Sequence, residues 1–333
     1  MSKFYISFLL GLLISILLSP LIIKLSKRLK VSQTILHYVE EHTQKQGTPT
    51  MGGFIFLLGV ILTSLLFLNS GSTLALVTLG ATLAFGILGF LDDFIKIRYK
   101  QNEGLKPYQK IIGQVGISLI LGYFIYVFVG SDILIPFTLK SVDLGIFIIP
   151  FAMFVFIAVV NSVNLIDGLD GLSTGVSSAF ILGFTIFCLT FLSAFNLNDL
   201  MMHEYENLFL VCFAMLGSLL AFFGVNCYPA KIFMGDTGSL ALGGFISCIC
   251  LFTKNALIIP IIGVLYVVTA LSDILQVAHF KRTKKRIFLM APLHHHFQKK
   301  GVNENRIVTI YIIITVIMFV LNLIITSIAH GGT

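Results

Sequence analysis

Five aspartates are the residues of this sequence whose type and spacing are best suited to chemistry. They are Asp92, Asp93, Asp167, Asp170 and Asp236, and they lie at the ends of three apolar segments. Carboxylates at the edge of a bilayer are costly and repel one another. A cation that holds them together is the simplest reason to gather them, and Mg²⁺ takes oxygen ligands of this kind. The aspartates therefore predict a magnesium site that receives a polyanionic substrate.

The segment LDDFIK at 91–96 contributes two adjacent carboxylates and a lysine one helical turn later. Adjacent residues on a helix point in different directions, so Asp92 and Asp93 can hold different partners. One of them could bind metal while the other accepts a proton, and Lys96 could meet a phosphate. The alternative is a solvated helix end, although negative charge at a helix C-terminus is unfavourable.

The segment NSVNLIDGLDGL at 161–172 repeats a polar residue every three positions. On a helical turn this spacing predicts that Asn161, Asn164, Asp167 and Asp170 share one face. Two carboxamides and two carboxylates suit hydrogen bonds to a nucleotide and contacts to a metal. An EF-hand is excluded because its later acidic ligand is missing. An ordinary polar loop remains the alternative interpretation.

The segment NCYPAKIFMGDTGSLALGG at 226–244 places Asp236 between glycines, just before an apolar span. Backbone N–H groups at a helix start favour anions, but an aspartate there is equally well explained as an N-cap. Phe233 is the aromatic residue best placed to stack on a base.

Two further segments carry polar residues, and neither has the spacing of a known metal or P-loop motif. In PLHHHF at 292–297 the three adjacent histidines cannot easily face one zinc ion. We therefore interpret them as hydrogen-bond donors to a phosphate group. GTPTMGG at 47–53, with the preceding lysine, could cradle phosphate but is not a Walker A sequence.

The five cysteines are interpreted as small apolar residues rather than as disulfide partners or metal ligands.

A membrane-embedded fold must position these segments. The chain has 333 residues, of which 57% are hydrophobic and 11% charged, and apolar stretches of about 18 residues predict transmembrane helices. The ten candidate spans are residues 4–23, 51–68, 74–91, 111–129, 144–163, 176–195, 208–225, 239–253, 257–278 and 308–328. We therefore predict an all-α integral membrane protein with about ten transmembrane helices, built as a single polytopic domain over residues 1–333.

The positive charge predicts how this domain lies in the membrane. All of the 22 Lys and Arg residues except Lys3, Lys140 and Lys254 fall on one side of the ten spans. The positive-inside rule makes that side cytoplasmic, so both termini are expected outside and the polar segments at the cytoplasmic face. Because topology explains the net charge of +7 and no nucleic-acid motif is visible, we predict no nucleic-acid partner.

Taken together, these five segments resemble those of the polyprenyl-phosphate hexose-1-phosphate transferases. Within that superfamily they are most similar to the phospho-N-acetylmuramoyl-pentapeptide-transferase branch of bacterial cell-wall synthesis. The resemblance implies that undecaprenyl phosphate attacks the β-phosphate of UDP-N-acetylmuramoyl-pentapeptide, giving lipid I and UMP with Mg²⁺ as cofactor. It also implies a multi-pass protein of the bacterial inner membrane, and it leaves a homodimer open.

The resemblance further implies residue roles. Asp92, Asp93 and Asp236 match the catalytic aspartates, with Asp236 as the metal ligand. The matching substrate-binding residues are Lys45, Thr50, Lys96, Asn161, Asn164, Asp167, Asp170, Asn226, Phe233, His294, His295 and His296. The chain departs from the family at residues 35–42, at Tyr108 and at Gln298, where a basic residue and an acidic residue are common at the last two positions. These departures affect fine substrate contacts rather than the reaction.

Two alternatives stand beside this interpretation. A transferase of N-acetylglucosamine 1-phosphate would use the same lipid acceptor, but PLHHHF favours the muramoyl branch. An ion or solute transporter would use Asp273 in the ninth span, since intramembrane carboxylates are often functional. The sequence shows no internal repeat of the kind that many transporters carry. The acidic clusters also gather on one face, which disfavours a transport path. Asp273 is therefore expected to make an interhelical hydrogen bond or to support the site.

Overall fold

A computed structural model describes residues 2–29, 47–68, 72–99, 101, 103–138, 140–192 and 199–330. Within these residues the chain is almost entirely helical, because its long apolar segments satisfy every backbone group internally only as helices. The helices are α1 Ser2–Arg28, α2 Gly53–Leu65, α3 Thr73–Tyr99, α4 Pro107–Phe124, α5 Ile148–Ile166, α6 Leu172–Thr190, α7 Asp199–Asn226, α8 Gly235–Phe252, α9 Ile259–Ile262, α10 Val264–Thr283, α11 Leu293–Lys299 and α12 Glu304–His330.

The described helices agree with the predicted spans except at two places. Nine of them, with α4 extended to Val129, are long and apolar enough to cross a membrane. The second predicted span is the 13-residue helix α2, which is shorter than a usual span. The ninth is interrupted at Gly263, where α9 ends and α10 begins. The chain is thus a multi-pass membrane protein by the length and composition of its helices.

A short β-hairpin follows α4, where the sequence predicted only a loop. β1, Asp132–Leu134, pairs antiparallel with β2, Ser141–Asp143. Lys254, in the turn after α8, donates to Asp132 Oδ2 at 2.6 Å, and the Leu134 N–H donates to the Lys254 carbonyl at 2.8 Å. The hairpin therefore lies at the end of the bundle where α8 finishes.

Helix α8 forms the centre of the bundle. Every residue of α8 except Asp236 is buried, and α3 and α5 pack along it. The approach of α3 is close because Gly89 has no side chain: a Cβ there would overlap the Asp236 carbonyl oxygen. This contact brings the end of α3 that carries two aspartates against the start of α8, which carries a third.

Candidate active site

Asp236 lies at the convergence of three helices. It is the second residue of α8, whose N-cap is Met234, so Asp236 is not the cap of its helix. Its Oδ1 accepts a hydrogen bond from Asn164 Nδ2 at 2.9 Å. Its Oδ2 accepts from Lys96 Nζ at 3.1 Å and from Lys110 Nζ at 2.7 Å. Side chains from α3, α4 and α5 thus meet on one carboxylate.

Asp92 lies beside this group on α3, in the body of the helix rather than at a solvated end. Helix α3 continues to Tyr99, and the side chain is 3% exposed. Its Oδ2 is 2.6 Å from Lys96 Nζ, while its Oδ1 accepts the Leu105 N–H at 2.9 Å. Lys96 therefore lies between Asp92 and Asp236 and balances both charges.

Asp93 has different partners, as its position on the helix predicts. Its Oδ1 accepts the Asp236 N–H at 3.2 Å, and its Oδ2 accepts both the N–H and the hydroxyl of Thr237, at 2.9 and 2.7 Å. These are orphan donors at the start of α8, which a capping group normally satisfies. Asp93 therefore caps α8 from a neighbouring helix, and both of its oxygens are engaged.

The three carboxylates fit a hard divalent cation. Asp92, Asp93 and Asp236 each offer one oxygen, and these oxygens lie within 4.8 Å of one another. An all-oxygen donor set of this kind suits Mg²⁺. Among the described residues, Asp92 and Asp236 contact each other, lysines and one neutral donor apiece, whereas Asp93 is committed to α8. The first two are thus the better candidates for ligands.

The segments at 47–53 and 226–234 meet at the same place. The Phe233 N–H donates to the Pro49 carbonyl, and the Gly52 N–H donates to the Phe233 carbonyl, both at 2.8 Å. Gly235 follows with φ +77°, and a Cβ there would press on Asp93 and Thr50. Thr50 is fully buried and its hydroxyl has no hydrogen-bond partner among the described residues. Glycine is required here to let the loop reach the aspartates.

The face predicted for residues 161–170 forms only in part. Helix α5 ends at Ile166, so Asp167 is its C-cap and Asp170 lies in the following turn. Asn164 also donates to Ser239 Oγ at 2.8 Å, whereas Asn161 pairs with Gln114 on α4. The prediction of one shared face is wrong because the glycine-containing turn begins immediately after the helix.

The two aspartates of this turn have separate environments. The pKa of Asp167 is raised well above its usual value, first by desolvation and then by the carboxylates of Asp236 and Asp93. Asp170 is buried: its Oδ2 accepts the Ala230 N–H at 3.0 Å, and its own N–H donates to Glu304 at 2.6 Å. Asp170 therefore ties the turn to the 226–234 segment and to α12.

Asn226 is engaged within the protein at both ends of its side chain. Its Nδ2 donates to the Ile232 carbonyl at 3.0 Å, and its Oδ1 accepts the Thr174 hydroxyl at 2.8 Å. The residue is 3% exposed. Its evident effect is to hold the 226–234 segment that carries Phe233, and a direct contact with nucleotide stays a prediction.

The histidine segment packs on the turn after α5. A Cβ at Gly168 would overlap the ring nitrogens of His294 and His295. His294 is fully buried, neither ring nitrogen has a partner among the described residues, and desolvation lowers its pKa well below 6.5. It is therefore neutral at pH 7 and acts as a donor or acceptor rather than as a cation.

The other two histidines are oriented by nearby groups. His295 Nδ1 lies 3.1 Å from Gln298 Oε1, so the residue at the acidic position of the family orients this ring without adding charge. His296 Nδ1 accepts the Leu289 N–H at 3.1 Å and has a T-shaped contact with Phe288. The rings of His294 and His295 lie against each other, with centroids 4.3 Å apart, whereas the His296 ring contacts Leu289 and Phe288.

Four positioning residues were not among the predicted site residues. Lys110, Gln114, Thr237 and Glu304 contact predicted site residues through the hydrogen bonds given above. Of these four, only Lys110 could have been suspected from the sequence, because it follows the acidic segment in a short polar stretch. The others lie on apolar helices and become partners only through packing.

Two further sequence predictions remain, one on the segment before α2 and one on Asp273. Lys45 and the departure at 35–42 lie outside the described residues. Asp273 is half-buried on α10 and has no hydrogen bond or ion pair to any described residue, so the interhelical bond expected for it is not formed there.

Comparisons with known proteins agree with the family resemblance. The profile described as glycosyl transferase family 4 matches residues 75–254. The phospho-N-acetylmuramoyl-pentapeptide-transferase of Clostridium perfringens (strain 13 / Type A) is 43% identical over 316 residues, which cover 95% of this chain and 96% of that protein. The protein of the same description from Clostridium novyi (strain NT) is 43% identical over 321 residues, 96% and 95% of the two chains. That from Thermoanaerobacter sp. (strain X514) is 40% identical over 323 residues, 97% and 98% of the two chains.

Proposed function

The chain belongs to the phospho-N-acetylmuramoyl-pentapeptide-transferases of glycosyl transferase family 4, and from this we infer that it is a phosphotransferase that makes lipid I in peptidoglycan synthesis. The donor is UDP-N-acetylmuramoyl-pentapeptide and the acceptor is a polyprenyl phosphate, which we propose to be undecaprenyl phosphate. An acceptor phosphate oxygen bonds to the β-phosphorus while the bond from that phosphorus to the bridging oxygen breaks. UMP leaves, and the new diphosphate joins the lipid to the sugar.

One observation carries the site assignment: side chains from α3, α4 and α5 converge on Asp236 of α8. Phosphoryl transfer needs in-line positioning and neutralisation of charge more than covalent chemistry. Lys96 and Lys110 present two ammonium groups beside Asp236, where the negative charge of a diphosphate would be held. The chain therefore supplies both charge balance and a rigid frame.

Asp92 and Asp236 are the residues that would hold Mg²⁺. The ion would supply a Lewis acid at the diphosphate. Asp93 holds the start of α8 through three hydrogen bonds and thereby fixes the direction of the Asp236 side chain. Asp92 has one oxygen on Lys96 rather than on the backbone, so that oxygen is the one that would contact the ion.

We assign the aromatic residue and the histidines of the predicted site to the donor substrate. Phe233 is half-buried beside Pro49 and Gly52, and we assign it to stacking on uracil. His294 and His295, which pack on Gly168, are assigned with His296 to the donor diphosphate and sugar. By the positive-inside rule we place this end of the bundle at the cytoplasmic face and both termini outside.

The test is UMP release by the purified protein with both substrates and Mg²⁺. We expect turnover that chelation by EDTA abolishes, and a loss of about a thousandfold or more in Asp236→Asn. Asp132→Asn is the matched control, because this carboxylate pairs with Lys254 at the opposite end of α8 and should leave turnover unchanged. Full activity of Asp236→Asn would refute the metal role.

Two further arms test the alternatives. UDP-N-acetylglucosamine replaces the muramoyl donor in one arm, and product formed only with that sugar would refute the assigned substrate. In the other, proteoliposomes are followed for ion or solute flux during turnover. UMP release without flux is the expected result.

A further inference from the structure

An open groove lies between the ends of α1 and α7, away from the aspartates. Its volume is about 700 Å³. Its apolar wall includes Ile16, Pro20 and Ile23 from α1 and Ala221 and Val225 from α7. None of Asp92, Asp93 or Asp236 lines it, so the groove is separate from the candidate active site. We call it the α1–α7 groove.

The groove exists because two helices that touch at one end separate at the other. Ser7 donates to the Leu210 carbonyl at 2.8 Å, and a Cβ at Gly217 would overlap the Phe8 carbonyl oxygen. Toward the end of α7, by contrast, a Cβ at Gly224 would meet no atom within 4 Å. The wall is thus open at Gly224, and a chain of methylene width can lie against it.

Four cations surround the polar end of the groove. Lys24, Lys27 and Arg28 recur at the spacing of one helical face, and Lys231 comes from the segment after α7. All four side chains are exposed, and none forms an ion pair with another described residue. No carboxylate of the described residues neutralises their charge, which suits an anionic ligand.

The chemistry of the groove matches that of a lipid. From residue 16 to residue 23 the apolar wall runs about 11 Å along α1, and about 15 Å is the depth of hydrocarbon in one leaflet. The cations follow directly at the end of this wall, where a headgroup phosphate would lie. A soluble anion would leave the apolar wall unused, and basic pockets between transmembrane helices are suited to anionic headgroups.

We propose that the α1–α7 groove binds an anionic phospholipid of the surrounding leaflet, with its phosphate on these four cations and one acyl chain along α1. The bound lipid would join α1 to the segment that carries Lys231, and so to the loop of Phe233. This site does not depend on the catalytic assignment, because it uses none of the same residues.

The first test compares lipid binding by native mass spectrometry of the intact protein in detergent. Phosphatidylglycerol is the anionic probe and phosphatidylcholine with the same acyl chains is the zwitterionic one. Lys24→Gln/Lys27→Gln/Arg28→Gln should weaken phosphatidylglycerol binding by about tenfold or more. Lys281→Gln/Arg282→Gln/Lys285→Gln, which removes three exposed cations from the end of α10 and the segment after it, should bind as the wild type does.

The second test fills the groove while leaving its charge in place. Gly224→Phe places its Cβ where no atom lies within 4 Å, so the protein should fold and yet lose phosphatidylglycerol binding. Retained binding in this variant or in the triple charge variant would overturn the proposal, as would equal affinity for the two phospholipids. Displacement of phosphatidylglycerol by undecaprenyl phosphate at lower concentration would assign the groove to the acceptor instead and would also overturn it.

Discussion

Asp92 and Asp93 are neighbours in sequence, but they contact different groups because adjacent side chains on a helix point in different directions. The first shares Lys96 with Asp236, and the second accepts three hydrogen bonds from the start of α8. A carboxylate whose oxygens are both occupied by backbone and hydroxyl donors contributes to position and stability. The distinction can be measured, because an amide replaces one acceptor oxygen with a donor.

We expect Asp93→Asn to lower the free energy of unfolding by about 2–3 kcal/mol, since one acceptor for the α8 donors is lost and an N–H group faces them. Asp92→Asn retains the acceptor for Leu105 and should lower it by about 1 kcal/mol or less. Thermal unfolding in detergent gives both values, and each variant should lose turnover. Equal melting temperatures for the two variants would contradict the capping role of Asp93.

At the scale of elements, the position of α3 determines where both aspartates lie. The end of α3 opposite the site is fixed by Glu204 of α7, whose two oxygens accept the N–H groups of Thr73 and Leu74 at 3.1 and 2.8 Å. Glu204 is 7% exposed. A negative charge also suits the positive end of the α3 dipole. α3 is thus held by one carboxylate at its start and holds α8 by another near its end.

Glu204→Ala should destabilise the protein by about 2 kcal/mol, because two buried N–H groups lose their acceptor. Glu206→Ala is the matched control: it lies two residues away on the same helix but is exposed, so its effect should be about 0.5 kcal/mol or less. Thermal unfolding of the two variants under identical conditions makes the comparison. Similar losses in both would show that Glu204 does not hold α3.

At the scale of the whole molecule, charge and hydropathy indicate one orientation in the membrane. The β-hairpin and the turn after α8 lie at one end of the bundle, and the aspartates and histidines lie at the other. Most of the described Lys and Arg residues lie at the second end, which the positive-inside rule predicts to be cytoplasmic. Nucleotide donors are made there, so the orientation agrees with the proposed reaction.

Cysteine labelling of intact cells tests this orientation. Lys140→Cys in the hairpin and Arg282→Cys at the end of α10 are both exposed. In a Cys227→Ser background the four remaining native cysteines are buried and should not react. A membrane-impermeant maleimide should label the hairpin cysteine directly and the α10 cysteine only after permeabilisation. The reverse pattern would place the candidate active site outside.

The sequence by itself determined the helical membrane class, the approximate spans and the segments whose residues form the candidate site. These are local properties, because a run of apolar residues becomes a span wherever it lies, and Asp92, Lys96 and Asp236 belong to motifs that can be recognised without neighbours. The same local rules erred at residues 161–170, where a turn ends α5 before the third polar residue.

Only the tertiary structure decided which of these residues meet. Lys110 reaches Asp236 across 126 positions of sequence, and Glu304 reaches Asp170 across 134. Such bonds depend on how the helices pack, as at Gly89, where the missing side chain lets α3 touch α8. The capping role of Asp93 and the α1–α7 groove arise in the same way, because each is formed by groups that the chain brings together only when its helices assemble.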